Sequence, residues 1–326
     1  MTFHDILGHD RPVAILKRAL AHDTLAHAYL FSGEAGIGKK MTALALAAAL
    51  HCGDLRENSG CGVCPSCRAV ATLNHPDVHV VTGDGGEIKI DQIRQIQADL
   101  ALKPFQGEKK VLIVDGAEDM NPASANAFLK TLEEPPGDTL IVLISSMPQG
   151  LLPTIRSRCQ EIRFHPLSRR TLAQALVLRR GFSEADAWFI AALAQGSMGR
   201  GLDMDVEREK AEREEFLGLW SRLGDMGADE ALAHADALAK DRERFDRLLD
   251  RGVQWLRDAV VFHETGDEKL LVYAHGGDAL KERYEGVSLE RMLLDIDLFS
   301  ASRSLLGRRV SAQLVAENLL LKIGRR

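Results

Sequence analysis

The sequence predicts an α/β nucleotide-binding fold with a parallel sheet and a cysteine-rich insertion, followed by wholly helical domains. Three observations carry this. A glycine loop with phosphate-binding spacing follows an apolar strand and opens an alanine-rich helix. Strand and helix signals then alternate as far as about His165. Beyond Pro166 the strand signals stop. Strands alternating with helices imply a parallel sheet covered on both faces.

Ala26-His27-Ala28-Tyr29-Leu30-Phe31 reads as a short buried strand, and Gly33-Glu34-Ala35-Gly36-Ile37-Gly38-Lys39-Lys40 follows it. The spacing fits G-x-x-x-x-G-K, whose backbone N–H groups and lysine cradle nucleotide phosphates. Lys39 to Leu50 is rich in Ala and Leu, so a helix starts at the loop, where free N–H groups and the dipole favour an anion. Gly33, Gly36, Gly38 and Lys39 are therefore candidate phosphate-binding residues. Lys40 stands where Ser or Thr would offer Mg²⁺ a hydroxyl, and it brings a cation with no oxygen. The competing reading is a glycine turn that joins strand to helix by chance.

Cys52, Cys61, Cys64 and Cys67 follow with the spacing C-x8-C-x2-C-x2-C. Overlapping C-x-x-C steps let four thiolates converge on one ion, and four sulfurs suit tetrahedral structural Zn²⁺. A redox pair and unliganded thiols are the alternatives. His51 and His75 are substitute ligands, although four thiols leave no vacancy. No neighbouring general base with an open coordination site points to catalytic zinc.

Asp77 to Thr82 reads as a strand, and Asp91 to Leu102 as a helix with Ile93, Ile96 and Leu100 on one face. Lys109 to Asp115 is an apolar strand ending in an acid beside the phosphate loop. Working ATPases of this class usually place a water-polarising Glu next, where this chain has Gly116 and then Glu118. Asn121 caps a helix with Pro122 at its first position; Ala125, Phe128, Leu129 and Leu132 form its apolar stripe, and Pro135-Pro136 stops it. Thr139 to Ser146 is another buried strand, Leu151 to Arg158 a short helix and Gln160 to Phe164 the last strand. Ser168 to Arg180 and Ser183 to Gln195 read as helices stopped by Gly181 and Gly196. Helical, charge-laced segments follow, including Glu230–Lys240 and Arg242–His263. Three domains are expected: 1–166 with a zinc module at 51–68, a helical lid at 167–205, and a helical collar at 206–326.

The 326 residues are 45% hydrophobic, enough for a sizeable core. The formal net charge of −6 provides no global basic field for nucleic acid. No signal peptide is evident, and no apolar run reaches the ~18 residues of a spanning helix. A soluble, cytoplasmic protein with no membrane association is expected, and five cysteines there argue against a disulfide framework.

The run from Ala26 through the phosphate loop and the four cysteines, together with Asn126-Ala127-Phe128-Leu129-Lys130-Thr131-Leu132-Glu133-Glu134-Pro135-Pro136 and Ser157-Arg158-Cys159, resembles the bacterial DNA polymerase III clamp loaders of the AAA+ class. The match is specific over residues 1 to about 205 and only compatible beyond. Motor subunits of that family end the loop in Lys-Thr or Lys-Ser and the acidic strand in Asp-Glu. The altered loop, His75-Pro76-Asp77 and the modest length are similar to the family's non-hydrolysing subunit type.

The resemblance implies a heteropentamer that opens the sliding clamp and loads it onto primed DNA. Its partners are the motor and delta subunits, the sliding clamp, and primed DNA through the assembled complex. ATP or ADP is then bound weakly or not at all at Gly33, Gly36, Gly38, Lys39, Lys40 and Asp115, without ATPase activity of this subunit's own. Arg158 corresponds to the family's arginine finger, acting in trans on a neighbour's ATP; on residues alone it is a surface arginine closing a helix. Arg200, in Gly196-Ser197-Met198-Gly199-Arg200, sits at the family's second sensor, with phosphate contact and a structural role equally open. Ser145 and Ser146 end the first-sensor strand, while Lys130, Glu133 and Glu134 read as a solvated helix face. An active motor of the same fold is opposed by Lys40 and Gly116. A P-loop kinase of small substrates leaves the cysteines and the helical third unexplained. A zinc-dependent DNA binder lacks basic density beyond Arg56 and Arg68.

Overall fold

The structure, a computed structural model, describes residues 1–107, 109–222, 226–273, 284, 286–308 and 310–324. The chain forms two compact units, Met1–Phe182 with Ala194–Asp203, and Ser183–Leu193 with Met204–Arg326.

The first unit is built on five strands: β1 (Ala28–Ser32), β2 (Val78–Thr82), β3 (Lys110–Asp115), β4 (Thr139–Ser145) and β5 (Gln160–Arg163). Their order is β2-β3-β4-β1-β5, and every pairing is parallel. Central strands of such a sheet are covered on both faces, and successive side chains point to opposite sides. Tyr29, Phe31, Val111, Ile113, Val142 and Ile144 accordingly join one apolar cluster, while Leu30, Leu112, Val114, Ile141 and Leu143 join the other.

Helix α1 (Asp10–Ala21) precedes the sheet. The phosphate loop leads into α2 (Lys39–Leu50), whose alanines 43, 45, 47, 48 and 49 are buried in the first cluster. Then come α3 (Pro65–Ala71) in the cysteine insertion, α4 (Ile90–Ala101) and α5 (Pro122–Glu133). The cap on α5 is as read: the Asn121 side chain accepts the Ser124 N–H. After α6 (Pro153–Arg156), α7 (Arg169–Arg180) ends at Gly181 with φ 68°. The short α9 (Met198–Asp203) returns to this unit after α8 (Glu184–Leu193), which belongs to the other.

The second unit is helical throughout its described residues. It contains α8, α10 (Val206–Arg222), α11 (Ala228–Ala239), α12 (Arg242–Thr265), α13 (Leu289–Gly307) and α14 (Ala312–Gly324), around Trp220, Phe245, Trp255 and Phe299. Gly252 lets α12 approach α13, since a Cβ there would collide with the Phe299 ring. The buried Arg251 guanidinium is neutralised by Glu209 and Glu212, as a charge taken out of water must be. Among the described residues no helix is long and apolar enough to cross a membrane.

Candidate functional site: a phosphate loop, a sulfur cluster and an arginine

Gly33, Gly36 and Gly38 adopt φ values of 142°, 74° and 115°, which favour glycine. A Cβ on Gly33 would collide with the Phe164 carbonyl, and one on Gly36 with the Ser197 hydroxyl. The collision at Gly36 marks a seam between the loop and the start of α9. Ser197 Oγ donates to the Ala35 carbonyl at 3.0 Å, and the Gly199 N–H donates to the Gly36 carbonyl at 2.9 Å. Arg200 stands at this seam, 3.6 Å from Glu34 of the loop.

A cleft of 530 Å³ opens beside the loop and is lined by Lys39, Lys40, Asp115, Gly116 and Glu118 among others. Lys39 is buried, and its ammonium donates to the carbonyls of Gly33 (2.5 Å) and Glu34 (2.6 Å). Burial lowers its pKa, with Glu118, Asp115 and Glu34 pulling the other way. Lys40 Nζ lies 3.1 Å from Asp115 Oδ2. The side chain in the metal-ligand position thus occupies the acid that would face the metal.

Gly116 has φ 78°, and a Cβ there would come within 2.6 Å of Asp119 Oδ2. Glu118, the next acid, accepts the Ser146 N–H at 2.8 Å and the Ser146 hydroxyl at 2.5 Å. Burial would raise its pKa, but these donors outweigh it and hold the carboxyl below its ordinary value. The sequence reading missed this lock between Glu118 and Ser146, which follows the end of β4. It also missed His9, buried against Phe164, whose Nε2 lies 2.6 Å from the Ile37 carbonyl. Burial lowers the His9 pKa, so the neutral ring donates to that carbonyl.

The sulfurs of Cys52, Cys61, Cys64 and Cys67 all lie within 4.8 Å of one another, with Cys52 and Cys64 at 3.9 Å. Tetrahedral zinc with bonds of ~2.3 Å sets sulfurs ~3.8 Å apart. The N–H groups of Asp54 and Cys61 point at Cys52 Sγ (3.4 and 3.2 Å), that of Cys64 at Cys61 Sγ (3.3 Å) and that of Cys67 at Cys64 Sγ (3.4 Å). Such donors favour thiolates. Donation from Val63 and Cys64 lowers the Cys61 pKa to about 6, whereas burial pushes Cys67 up to about 12. Cys64 also caps α3, with Pro65 at the first helical position. The cluster is compatible with structural zinc.

His51 and His75 stay outside that set and pack against each other, ring centroids 4.3 Å apart, beside Asp77. Asp77 accepts the N–H groups of Phe105, Gln106 and Gly107 at 2.6, 2.7 and 3.0 Å. His75 Nδ1 accepts the Asp77 N–H at 3.2 Å, which assigns the ring proton to Nε2. A protonated Nε2 is a donor, so this trio does not fit a metal through that atom. Burial and then His75 depress the His51 pKa to about 4.

Arg158 follows α6. Its Nη2 lies 2.6 Å from Glu133 Oε1, and its Nη1 donates to the Thr154 carbonyl at 2.9 Å. Glu133, read from the sequence as part of a solvated face, is half-exposed and carries this contact.

A phosphate loop on a five-stranded parallel sheet, with a sulfur cluster just beyond the loop helix, defines a P-loop α/β protein whose metal-ligand position is filled by lysine. Residues 8–168 match the family model described as DNA polymerase III, delta subunit. The chain is 40% identical over 317 residues to DNA polymerase III subunit delta′ of Bacillus subtilis (strain 168), covering 96% of this chain and 95% of that one. It is 45% identical over 136 residues to subunit delta′ of Pseudomonas aeruginosa, covering 41% of this chain and 42% of that one, under half of that relative's length. Among solved structures, a DNA polymerase III gamma subunit-related protein of Thermotoga maritima superposes with a TM-score of 0.47 at 20% identity, covering 96% of this chain and 98% of that one. The chain belongs to the DNA polymerase III subunit delta′ family of clamp-loader subunits.

Proposed function

We propose that this chain is a non-hydrolysing clamp-loader subunit that helps load the sliding clamp onto primed DNA and supplies Arg158 to a neighbouring ATPase subunit. The observation that carries the non-hydrolysing part is the Lys40–Asp115 ion pair at 3.1 Å. Metal-assisted hydrolysis needs a hydroxyl and an acid on Mg²⁺ and a group that orients water. Here an ammonium replaces the hydroxyl and engages the acid, and Gly116 stands where the water-orienting glutamate belongs. ATP or ADP is held weakly or not at all, with Arg200 and the loop as its contacts. Zinc on Cys52, Cys61, Cys64 and Cys67 is structural.

The three-domain division, with a lid at 167–205 and a collar from 206, belongs to the same reading. So do the motor and delta subunits, the clamp and primed DNA as partners, and a cytoplasmic location. Membership of the family and the partly exposed Arg158 support it. The isolated protein should show no ATP turnover above background; magnesium-dependent hydrolysis that disappears with Lys39→Ala would establish an active motor instead. In the assembled complex, Arg158→Ala should slow ATP hydrolysis while Arg156→Ala does not. Fingers of this kind contribute ~10³–10⁵ at a single site, and a smaller total loss is expected where other sites keep their own. Equal rates for wild-type and Arg158→Ala complexes would reduce Arg158 to a helix-closing arginine.

A further inference from the structure

We infer that Glu133 is the positioning residue for Arg158, holding its guanidinium ready from one side while leaving its other N–H groups to face a neighbour's phosphate. This rests on the reading of Arg158 as a finger and adds a second residue to it. A guanidinium carries five N–H donors in a planar fork. The two described bonds engage one on Nη2, at 2.6 Å from Glu133, and one on Nη1, at 2.9 Å from the Thr154 carbonyl. Both anchors lie within the same chain, so the fork is oriented before any partner arrives. An arginine left to sample its rotamers would have to be ordered at each turnover.

Both partners stand on anchored backbone. Glu133 ends α5 beside Leu132, which is buried, and Pro135-Pro136 prevents the helix from continuing past it. Arg158 follows the short α6, pinned by the fully buried Ile155. The pair itself remains partly open, with side-chain exposures of 36% for Arg158 and 49% for Glu133. An ion pair this exposed contributes little to folding. The single Glu133 contact nevertheless fixes one edge of a planar cation through Nη2.

The test uses the complete clamp-loader complex reconstituted with this chain, measuring steady-state ATP hydrolysis with primed DNA and clamp present. Four variants are compared: Glu133→Ala, Glu133→Gln, Arg158→Ala and the Glu133→Ala/Arg158→Ala double. Glu134→Ala, the exposed next residue, is the control. Glu133→Ala should lower kcat by at least about threefold with KM for ATP within about twofold, because a preset finger acts in the transition state. Glu133→Gln should recover most of the rate, since its amide oxygen still accepts. The double variant should be no slower than Arg158→Ala alone, as expected of two residues acting through one. Wild-type rates for Glu133→Ala beside a defective Arg158→Ala would sink the positioning role and leave the finger standing. Losses that multiply in the double variant, or failure of Glu133→Ala to enter the complex, would also overturn it. A fully active Arg158→Ala complex would remove the finger reading and this inference together.

Discussion

Replacing Lys40 by Thr restores the hydroxyl the loop lacks and frees Asp115. Two unit charges 3.1 Å apart attract by about 5 kcal/mol at an effective dielectric constant of 20. Both side chains are a third or so exposed, at 39% and 30%, so solvent screening leaves a net contribution to folding of no more than about 1 kcal/mol. Lys40→Thr should therefore fold with nearly unchanged stability. Its effect should instead appear in metal dependence. With the ammonium in place, Mg²⁺ meets a cation and an acid already engaged; with Thr it meets a hydroxyl and a free carboxylate. A fluorescent ADP analogue titrated with 0 or saturating Mg²⁺ should show no magnesium-dependent binding in the wild type. In Lys40→Thr, Mg²⁺ should strengthen binding at least about tenfold, or about 1.4 kcal/mol. Hydrolysis should stay absent in both, because Gly116 still lacks a water-orienting group. A tenfold magnesium effect in the wild type, or none in the variant, would show that Lys40 does not occupy the metal's position.

Elemental analysis of protein purified without chelator should find one zinc per chain, and clearly less in Cys64→Ser; a wild-type value near zero would dismiss the sulfur cluster as a metal centre. Gly36→Ala should cost about 2–4 kcal/mol in denaturant unfolding, combining left-handed strain with collision against Ser197. Gly38→Ala carries the strain but meets only His9, at 3.6 Å, so it should cost about 1–2 kcal/mol, and equal losses would refute the seam. Burial alone would raise the Asp77 pKa, yet three backbone donors bring it below its ordinary value. Its contribution is therefore complete above the unfolded value of about 4 and lost as pH falls through the folded one. Asp77→Asn should cost about 2–4 kcal/mol at pH 7, with the difference from wild type shrinking below about pH 4; the same gap at pH 3 and pH 7 would count against it.

Elements whose side chains are buried on every side were legible in the sequence. The apolar runs of β1, β3 and β4 and the alanines of α2 need no partner to be recognised, and α2 spans Lys39–Leu50 as read. Helix α1 went unread because only Pro12 and Leu16 of its twelve residues are buried. Helix α3 hid inside the cysteine insertion, where a sulfur serves as its cap. The loop and the four cysteines announce themselves by spacing. Pairings between distant elements do not: Lys40 with Asp115, Glu118 with Ser146 and Glu133 with Arg158 exist only once the sheet brings their strands and helices together. Glu133 was invisible for a further reason, since a half-exposed carboxylate on a helix face looks the same whether or not an arginine comes to meet it.

The seam between the phosphate loop and α9 has a consequence for motion. In many phosphate loops the arriving anion organises the backbone, and that gain in order can be passed to distant elements. Here the carbonyls of Ala35 and Gly36 already accept from Ser197 and Gly199, and Lys39 has already turned inward to Gly33 and Glu34. An anion entering such a loop finds little left to freeze. A loop whose carbonyls and lysine are already satisfied from within the chain has little order to gain from a bound anion. Hydrogen exchange at the Gly199 amide should accordingly be as slow in the nucleotide-free protein as in saturating ADP.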